Sequence, residues 1–196
     1  MDPTSTAAAP PSTTFSPYQK WIAALLAFLQ FAVILDFMIM SPLGALIIPA
    51  LNITPAQFGM VVSAYAFSAG VSGLLTAGFA DRFDRKRLLM FFFTGFIAGT
   101  FWCAVAQTFP SLLAARIFTG LFGGVIGSVV MAIATDLFAP QLRGRVMGVI
   151  QTAFAASQVL GIPVSLYLAN RWEWHMPFYA MTALACVGVL MVALRM

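Results

Sequence analysis

A short charged run between two long apolar stretches is the feature that most limits how this chain folds. Residues 80–88 read ADRFDRKRL and hold six of the sixteen charged residues. No charged side chain occurs from Phe37 to Ala80 or from Leu88 to Ala115. A compact, mostly basic turn between two such stretches is typical of a membrane hairpin whose turn faces the cytoplasm. The sequence therefore predicts that this region crosses a lipid bilayer.

The composition indicates that lipid is the solvent for most of the chain. Hydrophobic residues make up 61% of the 196 residues and charged residues 8%, whereas soluble domains contain about 25% charged residues. The net charge of +4 does not indicate nucleic-acid binding, because the basic residues lie in short turns and build no continuous basic face. Cys103 and Cys186 lie in apolar segments and are expected to be small packing residues.

Apolar segments separated by turns predict an all-α membrane protein with six transmembrane helices. Residues 1–17 are rich in Pro, Ser, Thr and Ala, and we expect a disordered cytoplasmic tail there. Pro42 is expected to kink or locally break the first helix. The six-helix bundle is predicted over residues 18–196, with spans at about 21–48, 55–80, 88–106, 111–138, 146–169 and 176–194.

The distribution of basic residues predicts the orientation. With a cytoplasmic N-terminus, the cytoplasmic side receives eight basic residues and the outer side only Arg171. This is a strong positive-inside bias. We therefore expect a multi-pass protein of the plasma (inner) membrane whose N-terminus is cytoplasmic.

Asp36 and Arg116 are charged residues predicted to lie within spans. A charged side chain at the bilayer centre costs about 2.5–3.5 kcal/mol on insertion scales, so Asp36 is interpreted as a proton or substrate site. The alternative is a structural Asp that is hydrogen-bonded to a neighbouring helix. Arg116 either extends its charge to the outer surface or faces a cavity and interacts with a buried acid.

Small and polar residues recur at helical spacing on several spans, whereas the third and sixth spans are expected to face lipid. Small stripes let helix backbones approach closely, and polar stripes indicate a protein contact or a watery cavity. Tyr65, Ser68 and Ser72 share one face of the second span. The two serines, together with Gln151 and Gln158 on the fifth span, would need a partner to avoid lipid. The predicted helix-packing residues are Gly120, Gly123, Gly127, Gly161 and Pro163.

An intramembrane protease is excluded by the predicted distances. Ser72 lies in a GxSG sequence that resembles the motif of rhomboid proteases, and the single histidine is His175. Ser72 is predicted to lie about 26 Å into its span, whereas His175 lies at the outer edge of the sixth, so the nucleophile would lack a base. No HExxH motif is present, and we expect no enzymatic activity, metal or cofactor.

The charged loop resembles a signature of one transporter family. Residues 77–87, AGFADRFDRKR, resemble the GxLaDrxGrkx loop between helices 2 and 3 of the major facilitator superfamily. Ala77 and Asp84 replace Gly, and Phe79 replaces Leu. The charged residues that match the loop are Asp81, Arg82, Arg85 and Lys86.

Further stretches resemble the same family. Arg116 lies in a match to lxxxRxxqG of helix 4, with Thr119 in place of Gln, and the family associates that motif with proton coupling. Residues 36–44, DFMIMSPLG, resemble the first helix of its twelve-span drug:proton antiporters. Residues 161–163 resemble the antiporter motif of helix 5, with Ile162 inserted between Gly and Pro.

The resemblance implies the N-terminal half of a transporter, built as a 3+3 inverted repeat, with its substrate site between two halves. It implies proton-coupled export of small amphipathic compounds or drugs. Helices 1 and 4 are then expected to line the cavity, and helices 2 and 5 to face a missing C-terminal half or a second copy. The implied cavity residues are Asp36, Arg116, Gln151 and Gln158.

A conformational latch at the cytoplasmic side is a further expectation. Asp81, Arg85 and Asp136 are placed to form it, beside Arg82 and Lys86. Two alternatives to drug export stay open, an exporter of sugars or amino acids and a six-span scaffold or assembly partner without transport. Asp36 distinguishes the scaffold, which has no use for an isolated intramembrane acid.

Overall fold

The computed structural model describes residues 15–77 and 83–195, and all structural statements concern those residues. The prediction of an all-α protein is confirmed, because six helices are long and apolar enough to span a bilayer and the described residues contain no strand. The predicted tail lies outside the described residues up to residue 14. The helices are α1 (Pro17–Ala50), α2 (Pro55–Ala77), α3 (Arg85–Val105), α4 (Phe109–Leu137), α5 (Pro140–Ala156), α6 (Ile162–Arg171) and α7 (Met176–Arg195).

The first helix, α1, runs through the interior of the bundle. Ser16 and Gln19 form a reciprocal capping box at its start, which satisfies two backbone amides. The helix continues through Pro42 and Pro49, so the predicted local break at Pro42 does not occur. Prolines are tolerated inside spanning helices because neighbouring helices support the freed backbone groups. α1 packs against α4, α5, α6 and α7, which leaves its middle shielded on most sides.

The α2–α4 pair is a close helix contact. Gly120 and Gly124 of α4 lie against the backbones of Tyr65 and Ala69, and a Cβ at either glycine would overlap those atoms. Small residues permit this approach in lipid. The polar stripe of α2 faces this contact, since Ser72 Oγ donates to the carbonyl of Leu121 and Ser68 is buried. The expectation that Ser68 and Ser72 would face lipid without a partner is therefore wrong.

The fifth span is interrupted by one turn of π-helix, residues Ser157–Gly161, between α5 and α6. The amide of Ile162, the residue that follows this turn, donates to the carbonyl of Ser157. Pro163 follows immediately and has no amide hydrogen, which accounts for a change of hydrogen-bond register at this point. Gly161 packs directly against Leu35 of α1, so the irregular turn lies beside the residue that precedes Asp36.

The third span, α3, is not simply a lipid-facing helix. It packs against α4 and α7 and buries Phe93 and Phe96 in the core. Phe91, Phe101 and Trp102 are exposed. The exposed aromatic residues agree with the predicted lipid-facing side, whereas the opposite face of the helix packs inside the bundle.

Candidate functional site

A fully buried ion pair lies at the centre of the bundle. Arg116 Nη1 is 2.8 Å from Asp36 Oδ2, and both side chains are 0% exposed. Nη1 also lies 3.5 Å from the main-chain oxygen of Asp36. Thr100 Oγ1 donates to Asp36 Oδ1 over 3.2 Å. Three helices, α1, α3 and α4, therefore meet at one carboxylate.

The ion pair costs free energy to bury. Desolvation amounts to several kcal/mol for each ion, so such a pair is weak evidence of a contribution to stability. Removing one partner leaves an uncompensated charge and costs about 3–5 kcal/mol. The arrangement thus makes the bundle sensitive to the charge on Asp36, which is what a proton changes.

Tyr65 of α2 covers the guanidinium group. Arg116 Cζ lies 4.4 Å from the centroid of the Tyr65 ring, a distance at which a cation is attracted to the ring face. The ring also packs against Phe37, with centroids 5.3 Å apart. Gly123 leaves space for the phenol, since a Cβ there would lie 2.5 Å from Tyr65 Oη.

The guanidinium group is incompletely hydrogen-bonded. Arg116 Nε and Nη2 are buried and have no hydrogen-bond partner among the described residues. A buried donor without a partner costs about 1–3 kcal/mol, and more when it is charged. The neighbouring thiol of Cys103 lies 3.9 Å from Thr119 Oγ1, and that hydroxyl donates to the carbonyl of Ala115.

An open cleft of about 370 Å³ lies beside the ion pair, between α1, α2, α4 and α5. Its wall is mainly apolar and aromatic, and no Asp, Glu, Lys or Arg lines it in the described part of the chain. Tyr65 is shared, because it lines the cleft and touches Arg116. The main polar and aromatic residues of the wall are Gln30, Phe37, Tyr65 and Phe154.

The other predicted cavity residues have different positions. Gln158 Nε2 donates to Met38 Sδ over 3.3 Å, which brings it to α1 beside the cleft. Gln151 is exposed on α5. Gln30, whose Oε1 is buried without a partner among the described residues, was not predicted, although a polar amide inside a long apolar span indicates a protein contact or a watery cavity. The sequence indicated Tyr65 only as a member of the polar stripe on the second span.

The start of α3 and the end of α4 are joined by a second ion pair. Arg85 Nε lies 3.1 Å from Asp136 Oδ2, with side-chain exposures of 28% and 54%. Lys86 Nζ donates to the main-chain oxygen of Ala193 over 3.4 Å. Asp81 and Arg82 lie outside the described residues. The role of this pair as a latch stays a prediction.

The predicted packing residues are distributed unevenly. Gly120 and Gly123 are buried at the α2–α4 contact, Gly127 lies beside the Gln30 amide, and Gly161 lies against α1. Pro163 is exposed and acts on its own helix through the missing amide hydrogen. Gly124, which was not predicted, is among the tightest contacts.

The serine and the histidine of the protease interpretation have separate partners in the structure. Ser72 Oγ donates to Leu121, whereas His175 Nε2 lies 3.0 Å from the carbonyl oxygen of Ala106. The described residues contain no group of three or more His, Cys, Asp or Glu placed to hold a metal ion.

Comparison with known proteins identifies relatives among transporters. The chain is 28% identical over 164 residues to the uncharacterized MFS-type transporter YceJ of Bacillus subtilis, covering 84% of this chain and 42% of that protein. It is 28% identical to the multidrug resistance protein fnx1 of Schizosaccharomyces pombe, covering 69% of this chain and 25% of that protein. It is 30% identical to the vacuolar membrane amino acid uptake transporter fnx2 of the same yeast, covering 70% and 24%. The chain thus spans less than half the length of these relatives.

A solved structure shares the fold. A bacterial homologue of the human lysosomal transporter Spinster, in an inward-facing and unoccupied conformation, superposes with a TM-score of 0.81 at 18% identity. The match covers 93% of this chain and 44% of that one, as expected for one six-helix half. The profile of the Major Facilitator Superfamily matches residues 26–196. The chain is therefore an integral, multi-pass membrane protein that belongs to the Major Facilitator Superfamily.

Proposed function

We propose that the chain is the N-terminal half of a proton-coupled exporter of small amphipathic compounds, in which Asp36 binds and releases the proton. The observation that carries the proposal is the buried pair of Asp36 and Arg116, with both side chains fully shielded. An isolated pair of this kind costs free energy, and intramembrane acids commonly mark proton pathways.

Protonation of Asp36 supplies the driving event. A proton on the carboxylate removes its charge and weakens the 2.8 Å contact to Arg116. Arg116 then becomes a buried cation without a counter-ion, and its Nε and Nη2 already lack partners in the described structure. Water, or a different helix arrangement, stabilises that cation. The proton therefore biases the bundle toward a second conformation, and coupling free energies of about 1–3 kcal/mol are typical of such linkage.

The cleft is proposed as this half's wall of the substrate site. Its aromatic residues suit a hydrophobic body, and Gln30 and Tyr65 add polar groups. A wall without charged side chains in the described region favours amphipathic compounds. The multidrug relative supports this substrate class.

Amino acid transport is the second candidate, because a yeast relative at 30% identity is named as an amino acid uptake transporter. A zwitterionic backbone normally needs charged or strongly polar partners. No charged side chain lines the cleft in the described residues, so drug export is favoured. Competition between a dye and amino acids for the assembled transporter distinguishes the two candidates. Excess amino acid should displace the bound dye from an amino acid transporter and should leave it bound to a drug exporter.

A second six-helix unit, either a C-terminal half or another copy of the chain, is proposed to complete the cavity. Phe67 and Leu74 of α2 are 79% and 81% exposed, and alternating access requires one unit to rock against another. We expect no transport from a single copy. Chain shown to be monomeric by native mass spectrometry, reconstituted in liposomes under a proton gradient, is expected to give no saturable counterflow. Saturable counterflow from that preparation would contradict the two-unit proposal.

Asp36→Asn tests the function directly in the assembled transporter in inner-membrane vesicles. The amide keeps the size of the side chain but cannot exchange a proton, so dye efflux driven by a pH gradient is expected to fall to the level seen without the gradient. Glu173→Gln, an exposed acid at the outer side, is the matched control and should keep wild-type efflux. Unchanged gradient-driven efflux by Asp36→Asn, at equal protein level, would remove Asp36 from the mechanism.

A further inference from the structure

We propose that the Tyr65 ring is the barrier between the buried ion pair and the water of the cleft, so that displacement of this one side chain controls access to Asp36. The inference rests on the proposed function for its purpose, because access matters when Asp36 exchanges protons. The position of Tyr65 between the cleft and the ion pair supports it independently of any transport activity.

Tyr65 occupies the position that a barrier requires. It lines the cleft together with Phe37, while its ring face covers Arg116 at 4.4 Å. Asp36, Arg116 and Thr100 are each 0% exposed, and none of them lines the cleft. Among the described residues, Tyr65 therefore contacts both the open cleft and the closed compartment, by which we mean the buried surroundings of Asp36, Arg116 and Thr100.

The closed compartment is poised to take up water. Arg116 Nε and Nη2 are buried donors without partners in the described structure. Water that enters beside the guanidinium can accept from both atoms, so opening recovers hydrogen bonds that the closed state lacks. Hydration also lowers the cost of a charged Arg116 when Asp36 is protonated.

The ring is held by packing rather than by hydrogen bonds. Its hydroxyl makes no hydrogen bond with the described residues, and its packing contacts include the ring of Phe37 at 5.3 Å and the guanidinium of Arg116. Gly123 provides the space that the hydroxyl occupies. A side chain held in this way can change rotamer without breaking a directional bond. A ligand that packs against Phe37 and Tyr65 in the cleft is therefore placed to shift the ring.

The experiment measures access to Asp36 by its reaction with a water-soluble carbodiimide and an amine nucleophile, followed by peptide mass spectrometry of the purified chain. Wild type and Tyr65→Phe, which keeps the ring, are expected to be protected. Tyr65→Ala is expected to label Asp36 about tenfold faster, which corresponds to a change of about 1.4 kcal/mol in the opening equilibrium. Phe154→Ala enlarges the cleft from α5 and leaves the contact between Phe37 and Tyr65 in place, so it should remain protected. Asp136, which is exposed, reports equal reagent activity in every sample.

A second variant approaches the barrier from the opposite helix. A Cβ at residue 123 would lie 2.5 Å from Tyr65 Oη, so Gly123→Ala is expected to push the ring aside and increase Asp36 labelling. The same substitution combined with Tyr65→Phe lacks the clashing oxygen and should restore protection. A loosened fold would raise labelling in both backgrounds, which separates it from the barrier.

Labelling of Asp36 in Tyr65→Ala at the wild-type rate overturns the barrier. So does rapid labelling in the wild type, or a failure of Tyr65→Phe to protect the Gly123→Ala chain. These measurements involve no transport, so a failed barrier leaves the role of Asp36 standing. Gradient-driven efflux by Asp36→Asn would defeat that role and leave the access results intact.

Discussion

Two arginine–aspartate pairs join helices in this chain, and they differ mainly in their surroundings. Arg116 and Asp36 meet at 2.8 Å with no exposed surface. Arg85 and Asp136 meet at 3.1 Å, and both side chains remain partly exposed. Water solvates the charges of Arg85 and Asp136 whether or not the two side chains touch. The buried charges of Arg116 and Asp36 have no such alternative. The same two residue types therefore make one contact that is costly to break from one side and one contact that contributes little to stability.

The largest expected effect comes from breaking the buried pair on one side. Arg116→Met removes the cation and leaves Asp36 buried without a counter-ion, which should lower the free energy of unfolding by about 3–5 kcal/mol. Chemical unfolding in mild detergent, followed by circular dichroism, measures the change. Adding Asp36→Asn to Arg116→Met removes the isolated charge and should recover most of the loss. Equal and additive losses from the two substitutions would mean that the residues are not energetically coupled.

An intermediate effect is expected from the hydroxyl that supports Asp36. Thr100→Val removes the donor to Asp36 Oδ1 and should cost about 1.5–3 kcal/mol, the range for a hydrogen bond to a charged group. Thr94→Val, at an exposed position of the same helix, is the matched control and should change the unfolding free energy little. If both variants unfold at the same denaturant concentration as the wild type, Thr100 does not stabilise the carboxylate.

The smallest expected effect belongs to the exposed pair. Asp136→Asn should lower the free energy of unfolding by about 0–1 kcal/mol, because an exposed ion pair is worth little. Added salt should reduce that difference further, whereas it should leave the effect of Arg116→Met nearly unchanged. If the pair is a latch, Asp136→Asn also increases cysteine labelling from the cytoplasmic side in the assembled transporter. A large, salt-independent loss of stability in Asp136→Asn would show that the two ion pairs do not differ in this way.

The sequence alone identified Asp36 and Arg116 as members of the site, because intramembrane charges are costly enough to stand out. It did not show that they touch each other, or that Thr100 completes the contact. Those residues lie on α1, α3 and α4, 64 and 80 positions apart from Asp36 along the chain. Tyr65 gave only the signal of a helical stripe, and that stripe faces α4 rather than lipid.

Hydrophobic length, the basic loop and the low content of charged residues determined the class of protein, since a bilayer leaves a chain few ways to satisfy its backbone. Local pattern could not decide which face of a helix meets another helix, because lipid and the interior of a membrane bundle are equally apolar. Only the tertiary structure placed Gly124 against Ala69, kept α1 helical through Pro42 and closed the Tyr65 ring over Arg116. Each of these depends on packing between helices, and packing has no local signature in the sequence.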